Sequence, residues 1–305
     1  LVDVCNYGLT YSMSGNTNHM SPDDHYQNFK RIIAAVGGKA KRINVIMPFL
    51  YESRQHKRSS RESLDCALAL QELTHMGVDN IITFDAHDPR VQNAIPLSGF
   101  ETVRPTYQFV KGLLDRYDDL IIDSDHMMAI SPDEGATERA VYLANVLNLD
   151  MGMFYKRRDY TRVVNGRNPI VAHEFLGSSV EGKDVIILDD MISSGDSILD
   201  VAKQLKSRNA KRIFAAATFG LFTNGLDKFD EAYESGLIDG VLTTNLIYQT
   251  PELLSRPYYI NCDMSKYVAL MIDTLNHDGS ISDILDPSER IQVCVEEYKK
   301  AHGQL

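Results

Sequence analysis

Apolar positions along the chain alternate between helical spacing and short uninterrupted runs. Ser21 is a helix cap, and Phe29, Ile32, Ile33 and Val36 follow it at helical spacing. The same spacing predicts further helices over residues 63–76, 107–117, 138–147 and 197–205. Short, nearly all-apolar runs predict strands over residues 43–48, 80–84, 127–130, 184–188 and 212–218. Apolar strands that alternate with helices predict an α/β fold, with mostly parallel sheets flanked by helices.

Three of the predicted strands run directly into acidic residues. The strand ends are followed by Asp85-Ala86-His87-Asp88, by Asp133-Glu134 and by Asp189-Asp190. In open α/β sheets, ligands bind beyond the carboxyl ends of the strands. Adjacent carboxylates repel each other, and a divalent cation or sugar hydroxyls would compensate for that repulsion. A single acidic end is equally explained by a helix cap or a solvated loop, but three such ends favour a binding site.

The segment after Asp189-Asp190 carries the most chemical information. Ser193-Ser194-Gly195-Asp196-Ser197 leads from the strand into an amphipathic helix. Backbone N–H groups and hydroxyls at a helix start bind anions, and Gly195 permits close approach of the backbone. The acidic pair accepts hydrogen bonds from vicinal hydroxyls, so the segment predicts a sugar phosphate site. The alternative is that Ser197 and Asp200 merely cap the helix.

Composition places the chain among ordinary globular proteins. It has 305 residues, 44% of them hydrophobic and 24% charged, which predicts about two domains. The formal net charge of −11 argues against a nucleic-acid binder, while small anionic substrates remain compatible with local clusters of cations. No apolar run approaches the roughly 20 residues of a membrane helix. The four scattered cysteines indicate a cytosolic protein with reduced thiols.

Two clusters of cations interrupt this acidic background. One spans residues 54–61, and the other is Lys156-Arg157-Arg158, with Arg162 and Arg167 further on. The second cluster lies at the start of a long segment, residues 160–182, whose apolar positions follow neither the helical nor the strand pattern. This segment is predicted to form a long loop or flap. Each cluster alone is explained by a solvent-exposed face of the protein, but the two clusters together favour a binding site for a polyphosphate ligand. The absence of a GxxxxGK[ST] motif argues against a P-loop kinase.

These segments together resemble the ribose-phosphate pyrophosphokinase family over nearly the whole chain. Residues 48–55 (PFLYESRQ) are similar to its ATP-contacting segment, and Asp85-Ala86-His87 to its metal-site strand end. Residues 131–135 (SPDEG) are similar to its second acidic turn, and residues 189–197 to its phosphoribosyl-binding loop. Lys156 and Arg158 stand where the family keeps catalytic cations on a loop.

The resemblance implies an organisation for the whole chain. It implies two tandem phosphoribosyltransferase-like domains, over residues 1–103 and 104–285, with a helical tail over residues 286–305. It also implies that the first domain begins after the family's first few strands. Family members are usually hexamers built from dimers, so self-association is expected here. The cysteines predict a cytoplasmic location, and the net charge and the short apolar runs predict no nucleic-acid or membrane partner.

The implied reaction uses ATP, ribose 5-phosphate and Mg²⁺ to form phosphoribosyl pyrophosphate and AMP. Arg54, Gln55 and His87 would hold ATP, and His87 and Asp133 would hold the metal ion. Lys156 and Arg158 would be catalytic, stabilising charge at the β-phosphorus. The ribose 5-phosphate site would comprise Asp189, Asp190, Ser193, Ser194, Gly195, Asp196 and Ser197.

Two other functions stay open from the sequence. The phosphoribosyl loop of the family usually reads Asp-Thr-Cys-Gly-Thr, whereas residues 193–197 read Ser-Ser-Gly-Asp-Ser, closer to ordinary phosphoribosyltransferases. A phosphoribosyltransferase that consumes phosphoribosyl pyrophosphate is therefore one alternative. The other is a non-catalytic relative that regulates a synthetase, which the chain's start and longer flap favour.

Overall fold

The computed structural model describes residues 1–158 and 170–304, and it describes only the backbone of residues 156–158 and 170–173. The chain separates into two compact units. The first unit comprises residues 1–105, 245–251 and 264–269, and the second unit holds the remaining described residues. The predicted contiguous boundaries at 103/104 and 285/286 stay a prediction.

The first unit is built around a three-stranded parallel sheet in the order β3-β4-β5. Its apolar core joins the sheet to both helices, with Phe29, Met47, Leu70, Leu73 and Ile81 among its buried members. Its elements are β1 (Thr10–Met13), β2 (Asn16–His19), α1 (Pro22–Val36), β3 (Asn44–Ile46), α2 (Asp65–His75), β4 (Asn80–Phe84), a 3-10 helix (Pro89–Ala94) and β5 (Gly99–Val103).

Helix α1 begins as its sequence predicts. Ser21 and Asp24 form a capping box, in which the Asp24 N–H donates to Ser21 Oγ and the Ser21 N–H donates to the Asp24 carboxylate. The helix ends at Val36, before Gly37. Phe29 and Ile33 are buried, whereas Ile32 is exposed. The antiparallel hairpin of β1 and β2, which turns at Ser14 and Gly15 in the left-handed region, was not predicted.

The second unit contains a seven-stranded sheet in the order β12-β11-β10-β9-β6-β7-β8. All of its strand pairs are parallel except β7 with β8. Its elements, of which α7 and α8 begin at residues of the first unit, are α3 (Thr106–Arg116), β6 (Met127–Ser131), α4 (Thr137–Leu147), β7 (Asp150–Arg158), β8 (Ile170–Leu176), β9 (Asp184–Ile192), α5 (Asp196–Lys206), β10 (Ile213–Gly220), α6 (Asp227–Glu234), β11 (Gly240–Thr244), α7 (Pro251–Leu254), β12 (Tyr259–Cys262), α8 (Ser265–Asn276), α9 (Ser282–Leu285) and α10 (Ser288–Ala301).

Strand β9 divides its side chains between two apolar clusters. Val185 and Ile187 belong to the cluster that also contains helix α5, while Ile186 and Leu188 belong to the cluster that contains helix α3. This alternation is the consequence of side chains that point to opposite faces along a strand. The predicted α/β fold with mostly parallel sheets is confirmed.

The predicted loop over residues 160–182 is wrong for residues 170–176, which form β8. This strand pairs antiparallel with β7 at the edge of the sheet, and Phe175 packs against Phe154 at 5.1 Å between ring centroids. An edge strand mixes polar and apolar residues, so it lacks the apolar run that identified the buried strands. Residues 160–169 of the predicted flap lie outside the described residues. In the part of the chain that the structure describes, no helix has the length and apolarity to cross a membrane.

Candidate active site

The carboxyl ends of β6 and β9 lie at the same edge of the second unit's sheet. The two strands are parallel neighbours, with Ile130 paired to Ile187. Asp133 therefore follows β6 near the point where Asp189 and Asp190 lie in β9. The structure brings these three predicted site residues together, as expected for parallel strands.

Their proximity has an electrostatic consequence. Burial raises the pKa of Asp189 well above its usual value, and the negative charges of Asp190 and Asp133 raise it further. The Asp190 N–H, which donates to Asp189 Oδ1 at 2.8 Å, opposes this shift. The carboxylates thus repel one another, and a cation or hydroxyl donors at this edge would stabilise their charged forms. Carboxylate oxygens of this kind fit a hydrated divalent cation.

Asp133 also has a structural role in its own turn, a possibility that the sequence left open. Its Oδ1 accepts the N–H groups of Gly135 at 2.9 Å and Ala136 at 3.3 Å, in the turn that leads into α4. Ser131 Oγ donates to the Asp133 carbonyl at 2.6 Å. Asp133 is therefore fixed in the turn before α4, whose N-cap is Ala136 rather than Asp133, and its role in a binding site stays a prediction.

The predicted phosphate loop connects β9 to α5. Gly195 is the N-cap of α5 and has φ +81°, in the left-handed region. A Cβ at this position would also collide with the ring of Phe229, so both the backbone conformation and the packing require glycine. Because the cap residue has no side chain, the alternative that Ser197 and Asp200 cap α5 is wrong. No side chain caps the N-terminus of α5, as an anion site there would require, and the phosphate site itself stays a prediction.

A second segment, residues 221–229 after β10, contacts this loop and was missed by the sequence analysis. The Thr223 N–H donates to the Ser193 carbonyl at 3.0 Å, and the hydroxyls of Thr223 and Ser193 lie 3.5 Å apart. Lys228 Nζ donates to Asp196 Oδ1 at 2.5 Å. One signal was available in the sequence: Lys228 is a cation in the first turn of a helix, where the helix dipole is unfavourable to it.

The predicted ATP residues lie in the first unit. Gln55 follows β3 and donates from Nε2 to the Ser63 carbonyl at 2.9 Å, which fixes the segment before α2. Arg54 is exposed beside it. His87 follows β4, and its ring meets the ring of His56 edge to face, with centroids 5.4 Å apart. The structure therefore brings the Arg54-Gln55 segment and His87 to the same edge of this unit.

Asp88 anchors this pair of histidines. Its Oδ2 lies 3.0 Å from His56 Nδ1 and also accepts the Arg90 guanidinium at 2.5 Å. The bonds from Arg90 hold the pKa of Asp88 far below its usual value. Burial lowers the pKa of His56, and the charge of Asp88 opposes that shift. Sequence reasoning placed Asp88 in an acidic strand end and His56 in a basic cluster, but it did not predict their contact, which joins two separate strand ends.

Several predicted roles are not tested by the structure. Lys156 and Arg158 lie in β7, opposite His173 and Ile170, but their side chains fall outside the described residues. His87 and Asp133 belong to different units. Within residues 1–158 and 170–304, no group of three or more His, Cys, Asp or Glu side chains is arranged to hold a metal ion. The magnesium site and the catalytic cations stay predictions.

Comparisons with known proteins match both parts of the chain. The family model of the phosphoribosyl transferase domain matches residues 104–244. The model of the N-terminal domain of ribose phosphate pyrophosphokinase matches residues 12–77.

Individual relatives agree with these family models. The ribose-phosphate pyrophosphokinase of Mycoplasma genitalium is 32% identical over 214 residues, a match that covers 70% of this chain and only 60% of that relative. The ribose-phosphate pyrophosphokinase of Shewanella oneidensis is 30% identical over 247 residues, covering 80% of this chain and 73% of that relative. The crystal structure of phosphoribosylpyrophosphate synthetase from Mycobacterium smegmatis has the same fold, with a TM-score of 0.72 at 21% identity, over 89% of this chain and 90% of that one.

Proposed function

The chain belongs to the ribose-phosphate pyrophosphokinase family, and we propose that it transfers the β,γ-diphosphoryl group of ATP to the 1-hydroxyl of ribose 5-phosphate. In this reaction the 1-oxygen forms a bond to the β-phosphorus, and the bond from that phosphorus to the oxygen bridging it to the α-phosphorus breaks. The products are phosphoribosyl pyrophosphate and AMP, and the hydroxyl proton is released to solvent.

One observation carries this proposal. The carboxylates of Asp133, Asp189 and Asp190 and the phosphate loop of residues 193–197 occupy one edge of the second unit's sheet. A sugar phosphate has vicinal hydroxyls and a phosphate in one small molecule, so its two ends match this edge. Asp189 and Asp190 would accept hydrogen bonds from the ribose hydroxyls, and the N–H groups at the start of α5 would bind the 5-phosphate.

Mg²⁺ belongs to the proposal as the metal ion. His87 in the first unit and Asp133 in the second unit are the proposed metal ligands, and Asp189 and Asp190 would contact the ribose hydroxyls directly or through a cation. The raised pKa of Asp189 fits such a role, because a nearby cation would favour the charged carboxylate. The bound ion would neutralise charge on the phosphoryl oxygens.

The remaining roles concern ATP and the transferring group. Arg54 and Gln55 would bind the nucleotide, with His87 beside them in the first unit. Lys156 and Arg158 would stabilise the charge that develops at the β-phosphorus, since phosphoryl transfer is catalysed mainly by positioning and electrostatics.

The cellular setting is also proposed. All four cysteines lie in the described part of the chain and are free thiols, which supports a reducing cytoplasmic location. Self-association into hexamers built from dimers rests on the family alone.

The function is tested by measuring AMP. The full chain is incubated with ATP and Mg²⁺, with and without ribose 5-phosphate, and AMP and phosphoribosyl pyrophosphate are separated by anion exchange. We expect AMP only when the sugar phosphate is present. Asp190→Asn is expected to weaken ribose 5-phosphate binding more than ATP binding. Equal weakening would indicate that the acidic pair anchors only a shared metal.

Two outcomes contradict the proposal. Release of pyrophosphate from phosphoribosyl pyrophosphate in the presence of a nucleobase, without AMP formation from ATP, would identify a phosphoribosyltransferase. Inactivity in both assays would favour a regulatory relative.

A further inference from the structure

Asp196 places a negative charge at the anion site of the second unit. It is the first residue of α5, directly after Gly195, where the 5-phosphate would be bound by backbone N–H groups. In the free protein this position is favourable for a carboxylate, because the N-terminus of a helix is positive. For a dianionic phosphate the same carboxylate is unfavourable, since two negative groups would share one small region. A phosphate loop that carries Asp196 therefore requires a compensating cation.

Lys228 supplies a cation at this point. Its Nζ donates to Asp196 Oδ1 at 2.5 Å, and Asp196 Oδ2 accepts the Ser194 hydroxyl at 2.9 Å. These two bonds, Lys228 first, lower the pKa of Asp196. Ser194, Asp196 and Lys228 thus form a continuous chain of hydrogen bonds that links the phosphate loop to helix α6.

The position of Lys228 is set by packing rather than by the ion pair. The next residue, Phe229, is fully buried and lies against Gly195, where a glycine is needed to make room for its ring. Phe229 also contacts Phe222 edge to face, with centroids 5.2 Å apart. The backbone around Lys228 is therefore held in place by the core, and a change to its side chain should leave the loop and α6 intact.

We propose that Lys228 determines the affinity of the phosphate loop by neutralising Asp196. In this arrangement the ammonium group cancels the carboxylate charge, so that the N–H groups of α5 and the hydroxyls of the loop can accept a dianionic phosphate. The pair itself is exposed, with 51% of the Lys228 side chain accessible, and exposed pairs contribute little to folding stability. The inference deepens the proposed function and rests on it, since it concerns the 5-phosphate of the same substrate.

The test is a double-mutant cycle on the full chain. Ribose 5-phosphate binding is measured by calorimetry without nucleotide, and KM and kcat are measured from AMP formation. Lys228→Met is expected to weaken ribose 5-phosphate binding by about 10- to 100-fold, the range for loss of a charge-assisted contact. The KM for ATP and kcat should be unchanged. Lys228→Arg should restore binding, because it restores the positive charge.

The second mutation distinguishes neutralisation from other roles. Asp196→Asn alone should tighten binding, because it keeps the backbone N–H of residue 196 and removes the carboxylate charge while Lys228 remains. Asp196→Asn in the Lys228→Met background should recover most of the lost affinity, and weaker binding in Asp196→Asn alone would contradict neutralisation. Lys111→Met is the matched control, because Lys111 is also ion-paired and half exposed in the same unit, on α3. It should bind ribose 5-phosphate like the wild type. Thermal unfolding of each variant checks that the fold is retained.

The outcomes separate this inference from the proposed reaction. Unchanged binding in Lys228→Met, or a double mutant as weak as Lys228→Met, would overturn the role of Lys228. A wild-type protein that binds ribose 5-phosphate without forming AMP would contradict the reaction, while the calorimetric cycle would still decide the role of Lys228. A wild-type protein that does not bind ribose 5-phosphate would overturn both.

Discussion

His56 Nδ1 lies 3.0 Å from Asp88 Oδ2, so the segment that follows β3 is bonded to the segment that follows β4. Both side chains are largely buried, and Asp88 also accepts from Arg90. The contact joins the stretch containing Arg54 and Gln55 to the stretch containing His87. The first unit thereby fixes the relative position of two segments that the proposed function assigns to ATP.

Asp88→Asn should destabilise the first unit. An amide cannot replace the charged acceptor of His56 and Arg90, so we expect a loss of about 1.5–3 kcal/mol in the free energy of unfolding at pH 7. The pKa of Asp88 is lowered in the folded state, so this stabilisation is present above the ordinary aspartate pKa of about 3.9 and is lost as pH falls through the lowered value. Denaturant unfolding at several pH values measures both effects.

The matched control for Asp88 is Asp125→Asn, because Asp125 is exposed. It should change the free energy of unfolding by less than about 0.5 kcal/mol. If Asp88→Asn proves no more destabilising than this control, the contact of Asp88 with His56 contributes nothing to the unit.

Asp189→Asn should stabilise the second unit at neutral pH, in contrast to Asp88→Asn, which should destabilise the first unit. The pKa of Asp189 is raised in the folded state, so its stabilising contribution is fully present below the ordinary aspartate pKa and is lost as pH rises through the raised value. At pH 7, without metal or substrate, the variant should therefore have a higher Tm than the wild type. The difference should disappear at pH 3, and thermal unfolding across this range measures it. A variant with a lower Tm at pH 7 would contradict the predicted repulsion.

Gly195→Ala should weaken ribose 5-phosphate binding and destabilise the second unit. The new methyl group would meet Phe229, and the backbone has φ +81°. Gly182→Ala is the control: its φ is +72°, and no described atom lies within 4 Å of the added Cβ. The control should cost only the conformational strain, about 1–2 kcal/mol. Equal losses of stability and of affinity in the two variants would exclude a special role for the contact with Phe229.

Lys156→Ala should lower turnover by about 10²–10³-fold, as expected for loss of one group that stabilises a transition state. Binding of ribose 5-phosphate should change little, because the phosphate loop and acidic pair are intact. Single-turnover measurement of AMP formation, together with calorimetry, separates the two effects. Undiminished turnover would remove Lys156 from the mechanism.

The sequence predicted those parts of the site that are continuous along the chain. Asp189, Asp190 and residues 193–197 follow one buried strand, so both their order and their position at the sheet edge were readable from the apolar run before them. Lys228 and Thr223 were missed because each meets its partner about thirty residues away, through folding of β10 beside β9.

For the fold, too, the sequence predicted features that are continuous along the chain and missed those that depend on contacts between distant segments. Buried strands such as β9 and β10 were found because nearly every residue in them is apolar. Strand β7 and the edge strand β8 were not predicted, since pairing at an edge is compatible with polar side chains. The buried strand β11 was also missed, because its apolar run is short and ends in two threonines. The pairing of His56 with Asp88 is a tertiary contact, and local periodicity contains no signal for it.

The alternation of β9 between two apolar clusters restricts how this protein can diverge. An insertion or deletion of one residue within Asp184–Leu188 would exchange the side chains that face each cluster and would move Asp189 and Asp190 each to the face opposite its present one. Changes of length at this edge are therefore tolerable only after the acidic pair. Variation in substrate preference among descendants of this chain should accumulate in residues 193–197 and 221–229, while the strand that carries the acidic pair keeps its length.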